Sequence, residues 1–300
     1  MLPKGFRTAT VVDRVDFAED LATFRLRPEE PLTFEPGQYA TLALEIDGVF
    51  VKRAYSILSA PHEADLEFYI ECVREGVLTP CLWELQPGRE LFIRKKIVGH
   101  FTLDRSRRCH VMAATVTGLA PFLSIVRHQV HALANGGPAS DDGEPFRFLI
   151  LHGASHADEL GPYREECTAL AERYDWLHYV PTVSRPWSDE SWTGETGRVE
   201  DVTRKWMDRL GFGPAEMAGY ACGNPDMIDT VKGIFKRARL GADAIHEEKY
   251  FTTPAAGTAP TAQPAAVEAQ HAASPKEPPK GRKPPPGALK LKAVKAPPSP

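Results

Sequence analysis

Three short clusters hold residue types that could do chemistry, each spaced so that several donors reach one small group. Arg53-Ala54-Tyr55-Ser56, continued by Ile57-Leu58-Ser59-Ala60-Pro61, sets a guanidinium, a ring and a hydroxyl along one extended segment. Arginine can neutralise a diphosphate through fixed bidentate donors, tyrosine can cover a ring face, and serine can hydrogen-bond a ring nitrogen. That combination suits a flavin. Thr115-Val116-Thr117-Gly118-Leu119-Ala120-Pro121-Phe122 reads as a small-residue turn between a buried strand and a helix, where backbone N–H groups can approach a pyrophosphate. Cys222-Gly223-Asn224-Pro225-Asp226-Met227 ends one strand and opens another helix, on the same side of a parallel sheet. Alone, each cluster also fits plain packing: Tyr55 could fill a barrel, Thr115–Phe122 could be an ordinary strand–helix turn, and Cys222 could be a buried small hydrophobe.

The elements that must position these clusters change character near residue 104. Residues 6–103 read as short alternating strands, at 9–15, 23–26, 39–44, 66–70 and 90–93, separated by turns such as Glu35-Pro36-Gly37 and Gln86-Pro87-Gly88. That rhythm predicts an antiparallel barrel. From 108 onward, apolar strands at 109–114, 146–151, 176–180 and 217–222 alternate with helices at about 120–134, 158–173, 199–210 and 225–240, the pattern of βαβ units on a parallel sheet. The expected fold is therefore two-domain: an antiparallel β-barrel over 1–104, then an α/β parallel-sheet domain over 105–252.

A third segment, 253–300, is expected to be a disordered tail. It holds 12 of the chain's 27 prolines, no aromatic residue, and seven basic residues against two acidic ones; this +5 leaves −9 on the preceding 252 residues, given a net charge of −4. Such a composition buries too little apolar surface to offset ordering entropy. It reads as a solubilising extension or as a basic tether for an acidic partner. The amino terminus lacks an apolar stretch before Asp13 and no run is long enough to span a bilayer, so a cytoplasmic location is expected. Five cysteines, at 72, 81, 109, 167 and 222, with eight residues between the nearest two, argue against a disulfide framework or a structural zinc site and exclude a ferredoxin-type cluster. No metal is expected, and any iron–sulfur centre must sit on a partner.

In this order and spacing, the three clusters resemble the bacterial ferredoxin–NADP reductases over about residue 6 to Phe251. The resemblance implies that Arg53, Ala54, Tyr55 and Ser56 bind FAD, and that Tyr69, Ile70, Val73, Leu78 and Thr79 form a second flavin segment. It assigns Thr117, Gly118 and Pro121 to the NADP pyrophosphate and Cys222 and Gly223 to the nicotinamide side. Tyr250 or Phe251 would stack on the isoalloxazine, or else pack an edge strand. Val116 departs from the family, standing where many members have the first glycine of GTG; a β-branched residue restricts positive φ, so the loop is expected to sit differently.

The resemblance further implies hydride transfer between nicotinamide C4 and flavin N5, with Ser56, Cys222 and Tyr250 at the reacting edge, and one-electron transfer to ferredoxin or flavodoxin. It also implies a monomer with no nucleic-acid partner. Ser184, Arg185 and Arg198 offer the hydroxyl and guanidinium groups a 2′-phosphate needs and favour NADPH, although Ser155 stands where many members place an arginine and Arg185 could simply pair with surface acids. Lys52, Arg53, Arg94, Lys95 and Lys96 are basic positions able to face an acidic carrier, or to form solvated turns. Two other readings stay open: an NADH-dependent reductase component of an oxygenase, and a non-enzymatic module that senses the nucleotide.

Overall fold

The computed structural model describes residues 3–136 and 145–249. Its first six strands are β1 (Phe6–Asp16), β2 (Leu21–Pro28), β3 (Tyr39–Ile46), β4 (Val49–Ser56), β5 (Leu66–Glu71) and β6 (Glu90–Arg94), with a short helix α1 (Leu78–Trp83) between the last two. All the pairings are antiparallel and the order is β4-β3-β6-β1-β2-β5, so β1 runs through the middle and β4 and β5 form the two ends. The sheet wraps a core that includes Val11, Phe24, Leu42, Phe68 and Ile93. Alternation explains β5: Leu66, Phe68 and Ile70 point into that core, whereas Tyr69 is buried from the other face, in the core of the following half. β4 was not among the predicted strands, because its middle residues Lys52, Arg53 and Ala54 carry no apolar alternation.

The second half contains β7 (Cys109–Thr115), α2 (Ala120–Ala134), β8 (Arg147–Ala154), α3 (Tyr163–Arg173), β9 (Leu177–Val183), β10 (Glu195–Thr196), α4 (Val199–Leu210), β11 (Met217–Gly223), α5 (Pro225–Arg237) and β12 (Ile245–Lys249). All neighbours are parallel, in the order β10-β9-β8-β7-β11-β12. Central β7 is buried through Ala114 because both faces are covered: Met112 and Ala114 join the core beneath α2 and α3, and Val111 and Ala113 join the core beneath α4 and α5. Truncating a fully buried Phe122 or Phe235 in these cores should cost about 3–5 kcal/mol.

The helix predicted over 158–173 is broken. Gly161 takes a φ of 62°, and Pro162 precedes the new helix start at Tyr163. A side chain at Gly161 would meet Phe17 and the Tyr69 hydroxyl, so this kink fits α3 against the first half. The helix predicted to reach 240 stops at Arg237, two residues before Arg239 turns to a φ of 67°.

Buried polar contacts join the halves. Arg127 on α2 binds Glu166 through two bonds of 2.7 Å and reaches across to Glu67 at 2.6 Å, with Glu63 at 3.5 Å. The Tyr163 hydroxyl donates to Glu67 at 2.9 Å and lies 2.8 Å from Thr23 Oγ1, and Ser124 Oγ donates to the Ser59 carbonyl at 2.7 Å. These bonds fix where the clusters of each half stand.

Candidate functional site

The strand order leaves the antiparallel sheet open between β4 and β5, and this seam faces the parallel sheet. Ser56, the last residue of β4, is buried, and its hydroxyl donates to Glu248 Oε2 at 2.8 Å. Glu248 lies on β12 directly beside Cys222 of β11, and the Cys222 sulfur is 4.0 Å from the same oxygen. Residues 56, 222 and 248 thus converge from three strands. Burial pushes the Glu248 carboxyl up to about 7, against the Ser56 bond, which favours the ionised form. A carboxyl so poised can hold or release a proton near neutral pH. Glu248 was missed by the sequence reading, since a glutamate in Ile245-His246-Glu247-Glu248 looks like one more solvated charge on an edge strand.

The rest of the seam has the make-up of a cradle for a ring system with a diphosphate. Arg53 bonds the Lys52 carbonyl at 2.7 Å and has no ion pair among the described residues, which leaves its charge available. Burial pushes the Tyr55 phenol well up, with Arg53 pulling the other way. Across the seam, Thr79 Oγ1 closes a loop by accepting from the Val73 N–H and donating to the Val73 carbonyl, both at 3.0 Å. Ile70 and Leu78 are buried in the barrel core, so they face the seam only with backbone. The Tyr69 hydroxyl donates to the Glu159 carbonyl at 2.9 Å, in the contact between halves.

Next to Cys222, the turns after β7 and β11 interlock. A side chain at Gly118 would collide with the Cys222 carbonyl, and one at Gly223, whose φ is 123°, with the Thr115 hydroxyl. That hydroxyl accepts from the Asn224 N–H at 2.9 Å, and the Asn224 side chain caps α5 by accepting from the Asp226 and Met227 N–H groups. Thr117 and Pro121 are buried in the turn and the first turn of α2.

Val116 takes a φ of 44° despite its branched side chain, a left-handed conformation that glycine would adopt freely. Its carbonyl is held by the fully buried His152 at 2.9 Å from Nε2, and His152 Nδ1 lies 3.0 Å from the Tyr179 hydroxyl. Burial lowers the imidazole to about 4, so it is neutral at neutral pH. A carbonyl can only accept; Nε2 therefore carries the hydrogen and Nδ1 accepts from Tyr179.

At the far edge, Ser184 N and Arg185 N donate to the carbonyls of Ala154 and Ser155, and Gly197 N donates to the Val183 carbonyl. This pairing brings Arg185 and Arg198 to the same carboxyl end of the sheet. Arg185 is exposed and has no ion pair among the described residues, whereas Arg198, also exposed, lies 3.9 Å from Glu200. Ser155, in the arginine position, instead uses its N–H to hold Glu159 at 2.7 Å. Tyr250, Phe251 and the tail from 253 lie outside the described residues.

An open antiparallel barrel set against a parallel nucleotide-type sheet, with an acid, a hydroxyl and a thiol at their meeting point, defines a flavin- and nicotinamide-dependent oxidoreductase. Residues 8–102 match the oxidoreductase FAD-binding domain and residues 112–233 the oxidoreductase NAD-binding domain. Over 218 residues the chain is 34% identical to the flavodoxin/ferredoxin–NADP reductase of Escherichia coli, covering 69% of this chain and 81% of that protein. It is 31% identical over 230 residues to the ferredoxin–NADP reductase of Azotobacter vinelandii, covering 70% and 81%. A ferredoxin NADP+ reductase structure from Neisseria gonorrhoeae, with bound FAD and NADP, shares the fold at a TM-score of 0.72 and 22% identity, covering 83% of this chain and all of that one. The chain belongs to the flavodoxin/ferredoxin–NADP reductase family.

Proposed function

We propose that this chain passes electrons between NADP(H) and a one-electron carrier, ferredoxin or flavodoxin, with FAD seated in the seam over a domain of residues 1–104 and NADP(H) bound by a domain of residues 105–252. The observation that carries this reading is the convergence of Ser56, Glu248 and Cys222 where the seam meets the strand ends. FAD, when bound, supplies an acceptor that takes two electrons from a nicotinamide and gives them up singly.

The protein's own residues do the rest. Arg53 neutralises the FAD diphosphate, Tyr55 covers the ring, Ala54 lets the backbone approach, and the 69–79 segment contributes Tyr69, Val73 and Thr79, with backbone from Ile70 and Leu78. Thr117, Gly118 and Pro121 take the NADP pyrophosphate, Gly223 with Cys222 walls the nicotinamide from water, and Ser184, Arg185 and Arg198 meet the 2′-phosphate. Ser56 holds the Glu248 carboxyl in one orientation, and burial, which pushes that carboxyl up to about 7, lets it exchange a proton near neutral pH.

Two exposed cationic side chains at the outer edge, Arg185 without an ion pair among the described residues and Arg198 only 3.9 Å from Glu200, support NADPH over NADH, the choice an oxygenase reductase would reverse. Five free cysteines support a reducing compartment such as the cytoplasm, and we take the protein to act as a monomer. The purified protein should be yellow and should bleach anaerobically at least tenfold faster with NADPH than with NADH. Colourless protein that refuses added FAD overturns the proposal.

A further inference from the structure

Among the described residues, three other than glycine take a left-handed backbone: Asp47, Val116 and Arg239. Two of them stand where such a conformation is routine. Asp47 precedes Gly48 in the tight hairpin between β3 and β4, and Arg239 follows the end of α5. Val116 is the exception, because a β-branched side chain is crowded most by a positive φ and its turn joins a parallel strand, β7, to a helix, α2. Something must hold the backbone there, and the neighbouring strand supplies it.

The holding group is His152, fully buried among the apolar residues of β8. Its Nε2 lies 2.9 Å from the Val116 carbonyl and its Nδ1 3.0 Å from the Tyr179 hydroxyl, so one ring links β9, β8 and the turn after β7. Burial keeps that ring neutral, and a neutral imidazole has a single N–H. By donating to Nδ1, Tyr179 commits the hydrogen to Nε2, which then donates to Val116. The direction matters because the Val116–Thr117 peptide is planar and trans: with its carbonyl held toward β8, its N–H points the opposite way. That N–H belongs to Thr117, in the turn assigned above to the dinucleotide pyrophosphate. A Cβ at Gly118, the next residue, would strike the Cys222 carbonyl, so the turn is confined on that side as well.

We propose that His152 is a positioning residue for the pyrophosphate turn: it holds Val116 left-handed and so aims the Thr117 N–H at the dinucleotide, with Tyr179 setting the tautomer that this requires. The inference rests on the NADP(H) reading above and deepens it. A valine stands where glycine would need no restraint because the restraint comes from the adjacent strand. Since the pyrophosphate is common to NADPH and NADH, the contribution of His152 is blind to the 2′-phosphate.

The test titrates the FAD-loaded protein by calorimetry with NADP+ and with adenosine 2′-monophosphate, which carries the adenosine end but no pyrophosphate. His152→Leu keeps the bulk and removes the donor; it should weaken NADP+ about 10-fold and adenosine 2′-monophosphate by less than about 2-fold. His152→Gln keeps an N–H donor and should recover most of the loss. In steady state, His152→Leu should raise the KM for NADPH and for NADH by the same factor. Tyr179→Phe should weaken NADP+ about 2–5-fold with the same selectivity. The sharpest arm uses Val116→Gly: in that background the penalty of His152→Leu should shrink to less than about 2-fold, since glycine holds the turn unaided. His152→Leu that binds NADP+ within about 2-fold of the wild type, equal losses for both ligands, or a full penalty persisting with Val116→Gly would each overturn the inference and leave the NADP(H) reading intact. If His152→Leu does not fold, unchanged NADP+ affinity in Tyr179→Phe overturns it instead. A wild type that binds neither ligand overturns both.

Discussion

The two ends of the proposed site, one around Cys222 for the reacting rings and one around Arg185 for the adenosine, are built in opposite ways. Around Ser56, Cys222 and Glu248 the side chains are buried or half-buried and tied to one another, and the neighbouring turns leave no room even for a Cβ at Gly118 or Gly223. Around Arg185 the groups are exposed, and Arg185 itself lacks a partner of opposite charge among the described residues. The first arrangement fixes geometry before any ligand arrives, as transfer between two rings in contact requires. The second leaves interaction energy unspent until the right nucleotide supplies a phosphate. On the proposed reading, rigidity serves the chemistry and unsatisfied groups serve selection.

The largest effect should come from breaking the rigid end. Gly118→Ala drives a methyl into the Cys222 carbonyl, and because both sides are backbone neither can yield cheaply. We expect about 1–3 kcal/mol of lost stability in denaturant unfolding and at least a 100-fold fall in the rate of flavin bleaching by NADPH. Ser56→Ala should slow that reduction about 10–100-fold in stopped flow. It also removes a bond that favours the ionised Glu248, so the carboxyl should titrate above 7 and the pH dependence of the rate should move to higher pH. Glu248→Gln should abolish the inflection near pH 7 altogether; an unchanged profile would mean that another group sets it.

At the adenosine end the effects should be smaller and confined to binding. Arg185→Ala should raise the KM for NADPH about 10–30-fold with kcat and the NADH KM nearly unchanged. A fall in kcat would show that the two ends are not independent. The smallest effect belongs to the exposed Lys95 and Lys96: reversing both charges should raise the KM for the carrier a few-fold at low salt and leave that for NADPH alone.

How far the two ends could be read from residues alone differs as well. Contiguous clusters were the easiest to single out, since Arg53–Ser56, Thr117–Pro121 and Cys222–Gly223 each lie within one turn or strand, and α2 and α4 begin and end where their periodicity does. Glu248 escaped notice because its role depends on the β11–β12 register and on a strand almost two hundred residues earlier. His152 was equally hidden, as a histidine in an apolar strand reveals nothing about the carbonyl it will meet. Val116 drew attention as a departure, and its backbone is left-handed despite the branched side chain, with the bond from His152 to its carbonyl holding the turn.

Arg127 has a consequence for the molecule as a whole. One guanidinium grips carboxylates from both halves, within a contact that also engages Tyr163, Thr23 and Ser124. Heating should therefore give a single calorimetric peak rather than two, and Arg127→Met should split it, freeing the barrel to swing against its neighbour and blurring the distance over which an electron donor and acceptor are held.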